Sequence, residues 1–233
     1  MSADLAPCPL GICDGSGFIE DPETNTARDC RCRPVRVAGA RARSLEARIP
    51  KRYRDVAFDR YPVTEIDPTV VEQVRRFCLQ IEANLDAGRG LWLEGDPGTG
   101  KTTLAMLVSK AAIEARRTTA IYSLPRLMGV LRESIDSEDG LLNLLDRLAT
   151  VDLLHLDDLG AEHRTDWVLE QLYSIVNTRY EEQRSIVLTT NATEQQLEEQ
   201  LGARTVSRLV EICGVPLPLF GGDRRGSQLD PTL

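Results

Sequence analysis

The nine residues GDPGTGKTT, beginning at Gly95, constrain this chain more than any other stretch. They match the pattern G-x-x-x-x-G-K-[ST]. Gly95, Gly100, Lys101 and Thr102 hold the fixed places, with Asp96, Pro97, Gly98, Thr99 and Thr103 completing the loop. The chemistry needs these residue types. Glycines let successive backbone N–H groups turn inward around phosphate oxygens. Lys101 can reach the β- and γ-phosphates of a nucleoside triphosphate, and the Thr102 hydroxyl can ligate Mg2+. The apolar LWLE precedes the loop and KTTLAMLVSKAAIEA follows it. The loop therefore reads as strand, turn and helix, with the helix N-terminus aimed at the anion.

The rest of the chain keeps that alternation. TAIYS (119–123) reads as a strand, and LPRLMGVLRESI and GLLNLLDRLA as helices. VDLLHLDD (151–158) is a buried strand, TDWVLEQLYSIVNTRYEE a long helix and SIVLTTN (185–191) another strand. Two helices run on through Ile212, and VPLPL (215–219) is a last strand whose two prolines place it at an edge. Upstream, Asp67 and Pro68 open a helix with Val70, Val71, Val74, Phe77, Cys78, Ile81 and Leu85 along one face. Strand alternating with helix implies a parallel sheet covered on both faces.

Two more strand ends carry chemistry. VDLLHLDDLG runs its apolar residues into Asp157, where a carboxylate can hold the Mg2+ shell. Asp158 follows, where a base can polarise an attacking water. Taken alone, the acidic pair could also cap the next turn. Asn191 ends SIVLTTN, placed to orient the water or touch the γ-phosphate; by itself it would read as a plain turn. His155 reads as a packed core residue and His163 as a surface one.

The composition bounds what surrounds this unit. At 233 residues and 42% hydrophobic, the chain has room for one α/β domain and a small appendage. No apolar run approaches the roughly 18 residues that span a bilayer, and the first dozen residues lack the pattern of a secretory leader. The expected location is the cytoplasm. The net charge of −8 is uneven: −5 over residues 1–27, +8 over 28–54 and −11 over 55–233. The basic run reads as a solvated linker helix or as a contact for nucleic acid or an acidic partner. Residues 1–33 are too poor in apolar side chains to bury a core. They hold Cys8, Cys13, Cys30 and Cys32. In a reducing compartment, four such thiols read as ligands of a structural Zn2+ ahead of free thiols, with a disulfide last. The spacings, x4 and x1, depart from the C-x2-C that usually opens a zinc ribbon.

On IPKRYRDVAFD, GDPGTGKTTL, VDLLHLDDLGAE, TDWVLEQLYSIVNTRY, SIVLTTN and GARTVSRL, the chain resembles AAA+ ATPases over roughly residues 49–225. Within them it is similar to the bacterial replicative helicase loaders of the DnaC/DnaI type and the related IstB transposition helpers. The resemblance implies an α/β fold: a P-loop AAA+ core with a parallel five-stranded sheet between helices and a reduced or absent lid. To this is added a small N-terminal zinc-binding-type module over 1–33 and a basic linker or helix over 34–48, with the ATPase domain at 49–233. It implies ATP or ADP, Mg2+ and Zn2+ as cofactors. It implies Arg208, or second Arg204, as an arginine finger inserted by a neighbouring subunit, and Arg225 of GGDRRG, ahead of Arg224, as the sensor 2 position. It implies a replicative DNA helicase and single-stranded DNA as partners, self-association and no membrane. Here the acidic pair is Asp-Asp where many AAA+ enzymes have Asp-Glu, which implies slow turnover. The other reading is an IstB-like helper of a transposase on duplex DNA. A small-molecule kinase would leave Arg208 and Asn191 idle. Arg126 and Arg132 could touch single-stranded DNA, but solvation on a helix surface accounts for them.

Overall fold

The computed structural model describes residues 8–21, 26–33, 49–134, 138–160 and 165–222. The basic linker of 34–48, His163, Arg224 and Arg225 lie outside the described residues.

Near the N-terminus, β1 (Phe18–Asp21) and β2 (Thr26–Asp29) pair as an antiparallel hairpin. The other described strands form one five-stranded sheet: β3 (Leu91–Gly95), β4 (Thr119–Ser123), β5 (Leu153–Leu159), β6 (Ser185–Thr190) and β7 (Leu217–Leu219). Their order is β4-β5-β6-β3-β7, and every pairing is parallel. The proline-bearing β7 is an edge strand, as its sequence requires.

Eight helices accompany these strands among the described residues: α1 (Pro68–Leu79), α2 (Ile81–Asp86), α3 (Lys101–Glu114), α4 (Leu124–Glu133), α5 (Glu138–Thr150), α6 (Asp166–Glu181), α7 (Glu194–Leu201) and α8 (Ala203–Cys213). The Asp67 carboxylate accepts from the backbone N–H groups of Thr69 and Val70 and caps α1. The apolar stripe that begins there predicts one helix as far as Leu85. The structure breaks it at Gln80, and the Asn84 amide donates to the Phe77 carbonyl beside the break.

Strand alternation divides the core between two faces. Leu93, Leu153 and Val187 pack toward α1 and α3, with Val70, Val74, Leu104 and Val108. Trp92, Leu154, Leu156, Ile186 and Leu188 pack on the other side, with Leu127, Leu172, Val206 and Leu209. Burying each of these side chains contributes about 1.5–3 kcal/mol. The consequence for function is geometric. Parallel strands all end on one edge of the sheet, so β3 delivers the glycine loop, β5 the acidic pair and β6 Asn191 to one place. Among the described residues, no helix is long and apolar enough to cross a membrane.

Candidate functional site

The loop between β3 and α3 closes on itself. Gly95 has φ +140°, and a Cβ there would stand 2.0 Å from the Leu219 carbonyl oxygen, so the adjoining edge strand admits only glycine. Gly100 has φ +104°, and its missing Cβ leaves room for the Ile66 side chain. Thr99 Oγ1 donates to the Asp96 carbonyl at 2.8 Å. Lys101 is buried, and its Nζ donates to the carbonyls of Gly95 at 2.8 Å and Asp96 at 2.6 Å. The ammonium is thus curled inside the loop that its charge would serve.

Beside it, Thr102 Oγ1 donates to Asp157 Oδ1 at 2.9 Å. The same carboxylate oxygen accepts from Thr189 Oγ1 at 2.7 Å. A hydroxyl and a carboxylate in contact are a hard oxygen pair, suited to Mg2+. Simple alternation would send Asp157 and Asp158 to opposite faces of β5. Instead the pairing with β6 shifts register between Leu156 and Leu159, and Asp158 takes φ +59°. This is a bulge that re-aims a side chain, holding a non-glycine residue in a region that costs about 1–3 kcal/mol. The Asp158 backbone N–H donates to Thr189 Oγ1 at 2.9 Å, which steadies the bulge. Asn191 Nδ2 then donates to Asp158 Oδ1 at 3.0 Å.

Gly98, Gly100, Lys101, Thr102, Thr103, Asp157, Asp158 and Asn191 line one cavity of about 590 Å3. That is within the range of small-molecule sites. Its other wall was not assigned from sequence: Arg52, Tyr53, Asp55, Val56, Tyr61, Pro62 and Ile66, from the segment leading to α1. The signal available was the density of aromatic and charged residues in KRYRD and DRYP. Thr189 was also missed. The polar TT before Asn191 pointed to it. His155 is wholly buried in the core, and burial drives its pKa down to about 4, leaving the ring neutral.

Arg208 and Arg204 stand elsewhere. With Tyr180, Ala203, Ser207 and Glu211 they line a second cavity, of about 410 Å3. The Arg208 guanidinium lies over the ring of Tyr173, 4.9 Å from its centroid, and 5.8 Å from that of Tyr180. Arg126 and Arg132 are exposed on α4.

The hairpin of β1 and β2 brings the four N-terminal cysteines together. Cys8 and Cys13 precede β1, Cys30 and Cys32 follow β2, and the four sulfurs all lie within 4.8 Å of one another. Cys8 Sγ is 4.0 Å from Cys30 Sγ, and Cys13 Sγ is 3.6 Å from Cys32 Sγ. Four thiolates bound tetrahedrally at about 2.3 Å from one zinc stand roughly 3.8 Å apart, so the set fits that ion. Backbone N–H groups of Cys13 and Ile12 lower the Cys8 thiol to about 6, whereas burial and the neighbouring sulfurs push Cys32 up to about 12. A divalent cation would hold both as thiolates.

A glycine loop on a five-stranded parallel sheet, with an acidic pair and an asparagine on the neighbouring strand ends, defines a P-loop protein of the AAA+ class. The DnaC helicase loader has the same architecture: it aligns with a TM-score of 0.63 and 27% identity over 74% of this chain and all of that one. DnaA of Aquifex aeolicus with bound AMPPCP shares the fold at 20% identity and a TM-score of 0.61, over 74% of this chain and 51% of that one. The chain belongs to the family described as IstB-like ATP binding protein, whose model matches residues 37–210. Among curated relatives, the replicative helicase loader DnaI of Bacillus subtilis is 27% identical over 151 residues, covering 59% of this chain and 48% of that protein. The chain spans about half to two-thirds of the length of the curated relatives it matches.

Proposed function

We propose that this protein is an ATP-hydrolysing loader that binds a replicative DNA helicase and helps place it on single-stranded DNA. One observation carries the reading. The phosphate loop, the Thr102–Asp157 contact and the Asp158–Asn191 contact meet in a single cavity, in a chain with relatives named replicative helicase loaders. Loop backbone groups and Lys101 bind the phosphates. Thr102 and Asp157 would hold Mg2+, which would neutralise charge on the phosphates when bound. Asp158 takes the proton of the attacking water, with Asn191 fixing its carboxylate. A shorter acid than glutamate reaches that water less well, so hydrolysis is slow.

Arg208 supplies the arginine finger to a neighbouring subunit, with Arg204 second and Arg225 as sensor 2. For Arg208 this requires leaving the stack on Tyr173. A monomer therefore hydrolyses ATP poorly. The ATPase domain occupies 49–233, joined by the basic stretch of 34–48 to a zinc-held module over 1–33 that recognises the partner. The test is co-purification with a hexameric replicative helicase, with and without ATP. Lys101→Ala should lose nucleotide binding, whereas Asp158→Asn should bind ATP without hydrolysing it. Fast single-turnover hydrolysis by the isolated monomer would refute the finger in trans.

The family's own description supports a second reading, an ATPase helper of a transposase on duplex DNA. Failure to capture a helicase in either condition, with retention on duplex DNA, would favour it.

A further inference from the structure

His155 is a buried imidazole that the scheme above leaves unused. Alternation along β5 puts it on the same face as Asp157, toward α3. Its Nδ1 lies 2.9 Å from Oγ of Ser109, a buried residue seven positions, or about two helical turns, beyond Thr102 on α3. The other ring nitrogen, Nε2, is buried, has no hydrogen-bond partner among the described residues and stands 3.9 Å from Asp157 Oδ1. That oxygen already accepts from Thr102 and Thr189.

What each nitrogen faces decides where the proton sits. A neutral imidazole carries one N–H. If it were on Nδ1, it would donate to Ser109 and leave the Nε2 lone pair facing a carboxylate. If it is on Nε2, the N–H lies beside the carboxylate, 3.9 Å between heavy atoms, and the Ser109 hydroxyl rotates to donate to Nδ1. Both keep the serine bond, but only the second replaces repulsion with attraction at a ring nitrogen that is buried from solvent.

We propose that His155, held by Ser109 as the Nε2–H tautomer, is a positioning residue for the Mg2+-holding carboxylate of Asp157. The inference rests on the ATP and magnesium reading of the cavity. A neutral donor suits the task. It steadies the carboxylate from behind without cancelling the negative charge that attracts the cation, as a lysine or arginine would. The contact is about 0.9 Å longer than a formed hydrogen bond. Its effect should therefore fall at the lower end of what outer partners of metal ligands contribute, about 10-fold in metal affinity.

The test titrates Mg2+ into the full chain with a fluorescent ADP analogue bound. Without Mg2+, wild type, His155→Leu, His155→Gln and Ser109→Ala should bind the analogue alike. His155→Leu should then need about 10-fold more Mg2+ to reach the tight complex. Ser109→Ala should move the same way by less, and His155→Gln, whose amide can donate from a similar position, should recover most of the effect. The chain has two histidines, so the imidazole 15N resonance missing from His155→Gln identifies the ring, and it should report Nε2–H. An Nδ1–H tautomer, or wild-type Mg2+ dependence in folded His155→Leu or Ser109→Ala, overturns the inference while wild-type binding leaves the ATP reading intact. No binding of the analogue by wild type overturns both.

Discussion

Replacing Arg179 with methionine removes a charge from the core and, with it, the donors that reach four carbonyls. Arg179 lies on α6 and is wholly buried. Nη1 donates to the carbonyls of Leu148 at 2.7 Å and Ala149 at 3.3 Å, and Nη2 to those of Ser185 at 2.6 Å and Asp152 at 3.3 Å. One guanidinium thus ties the last turn of α5, the approach to β5 and the start of β6. The α5 carbonyls are the ones a helix end leaves without partners, and a cation is favoured there. Burial and, next, Arg184 lower the pKa to about 9, so the group is charged at neutral pH. Hydrogen bonds to a charged donor contribute about 1.5–3 kcal/mol each, and desolvation of the charge offsets much of their sum. A buried carbonyl that loses its donor costs about 1–3 kcal/mol, and relief of the charge's desolvation offsets part of the sum, so Arg179→Met should lose about 3 kcal/mol net, against a total stability of roughly 5–15 kcal/mol. Arg179→Lys, which reaches fewer of the four oxygens, should fall between. Urea unfolding followed by fluorescence of the buried Trp92 measures the shift. If Arg179→Met loses less than about 1 kcal/mol, the desolvation cost cancels the hydrogen bonds and the reasoning fails.

Two further outcomes are expected. Gly95→Ala should cost at least about 2 kcal/mol and abolish nucleotide binding, because φ is +140° and the new methyl meets the Leu219 carbonyl oxygen at 2.0 Å; equilibrium unfolding and ADP binding together check it. Native mass spectrometry should find one zinc per chain, and stripping it with a chelator should unfold the hairpin of β1 and β2 and leave the sheet intact. Of the six thiols, the four N-terminal ones should then react quickly with a thiol reagent. Cys78 and Cys213 should remain slow, because burial raises both, Cys78 to about 12. A full complement of fast thiols before chelation would refute the metal.

Much of the fold was legible because its signals are local. LWLEG and TAIYS became strands at the bounds their apolar runs suggested, SIVLTTN did so up to Thr190, one residue short of Asn191, and the prolines of VPLPL put β7 at the edge. The glycine loop was legible for the same reason: its residue types encode its backbone. Arg179 was not. In VNTRYEE it has the look of a solvated helix residue, and nothing within the helix says that three other elements will offer it their carbonyls. The aromatic wall of Tyr53 and Tyr61 was equally hidden, since its residues meet the loop only when the segment before α1 folds across it.

The acidic pair divides the two kinds of information most clearly. Sequence alone determined that a carboxylate pair ends a buried strand downstream of a phosphate loop, because hydrophobic runs and motif spacing are properties of the chain. It could not determine that both acids face one cavity, since strand alternation argues against that. A bulge in β5, an αL conformation at Asp158 and the Thr189 hydroxyl on β6 turn them to the same side. Those depend on pairing between strands about 30 residues apart in sequence, and such pairing exists only in the assembled sheet.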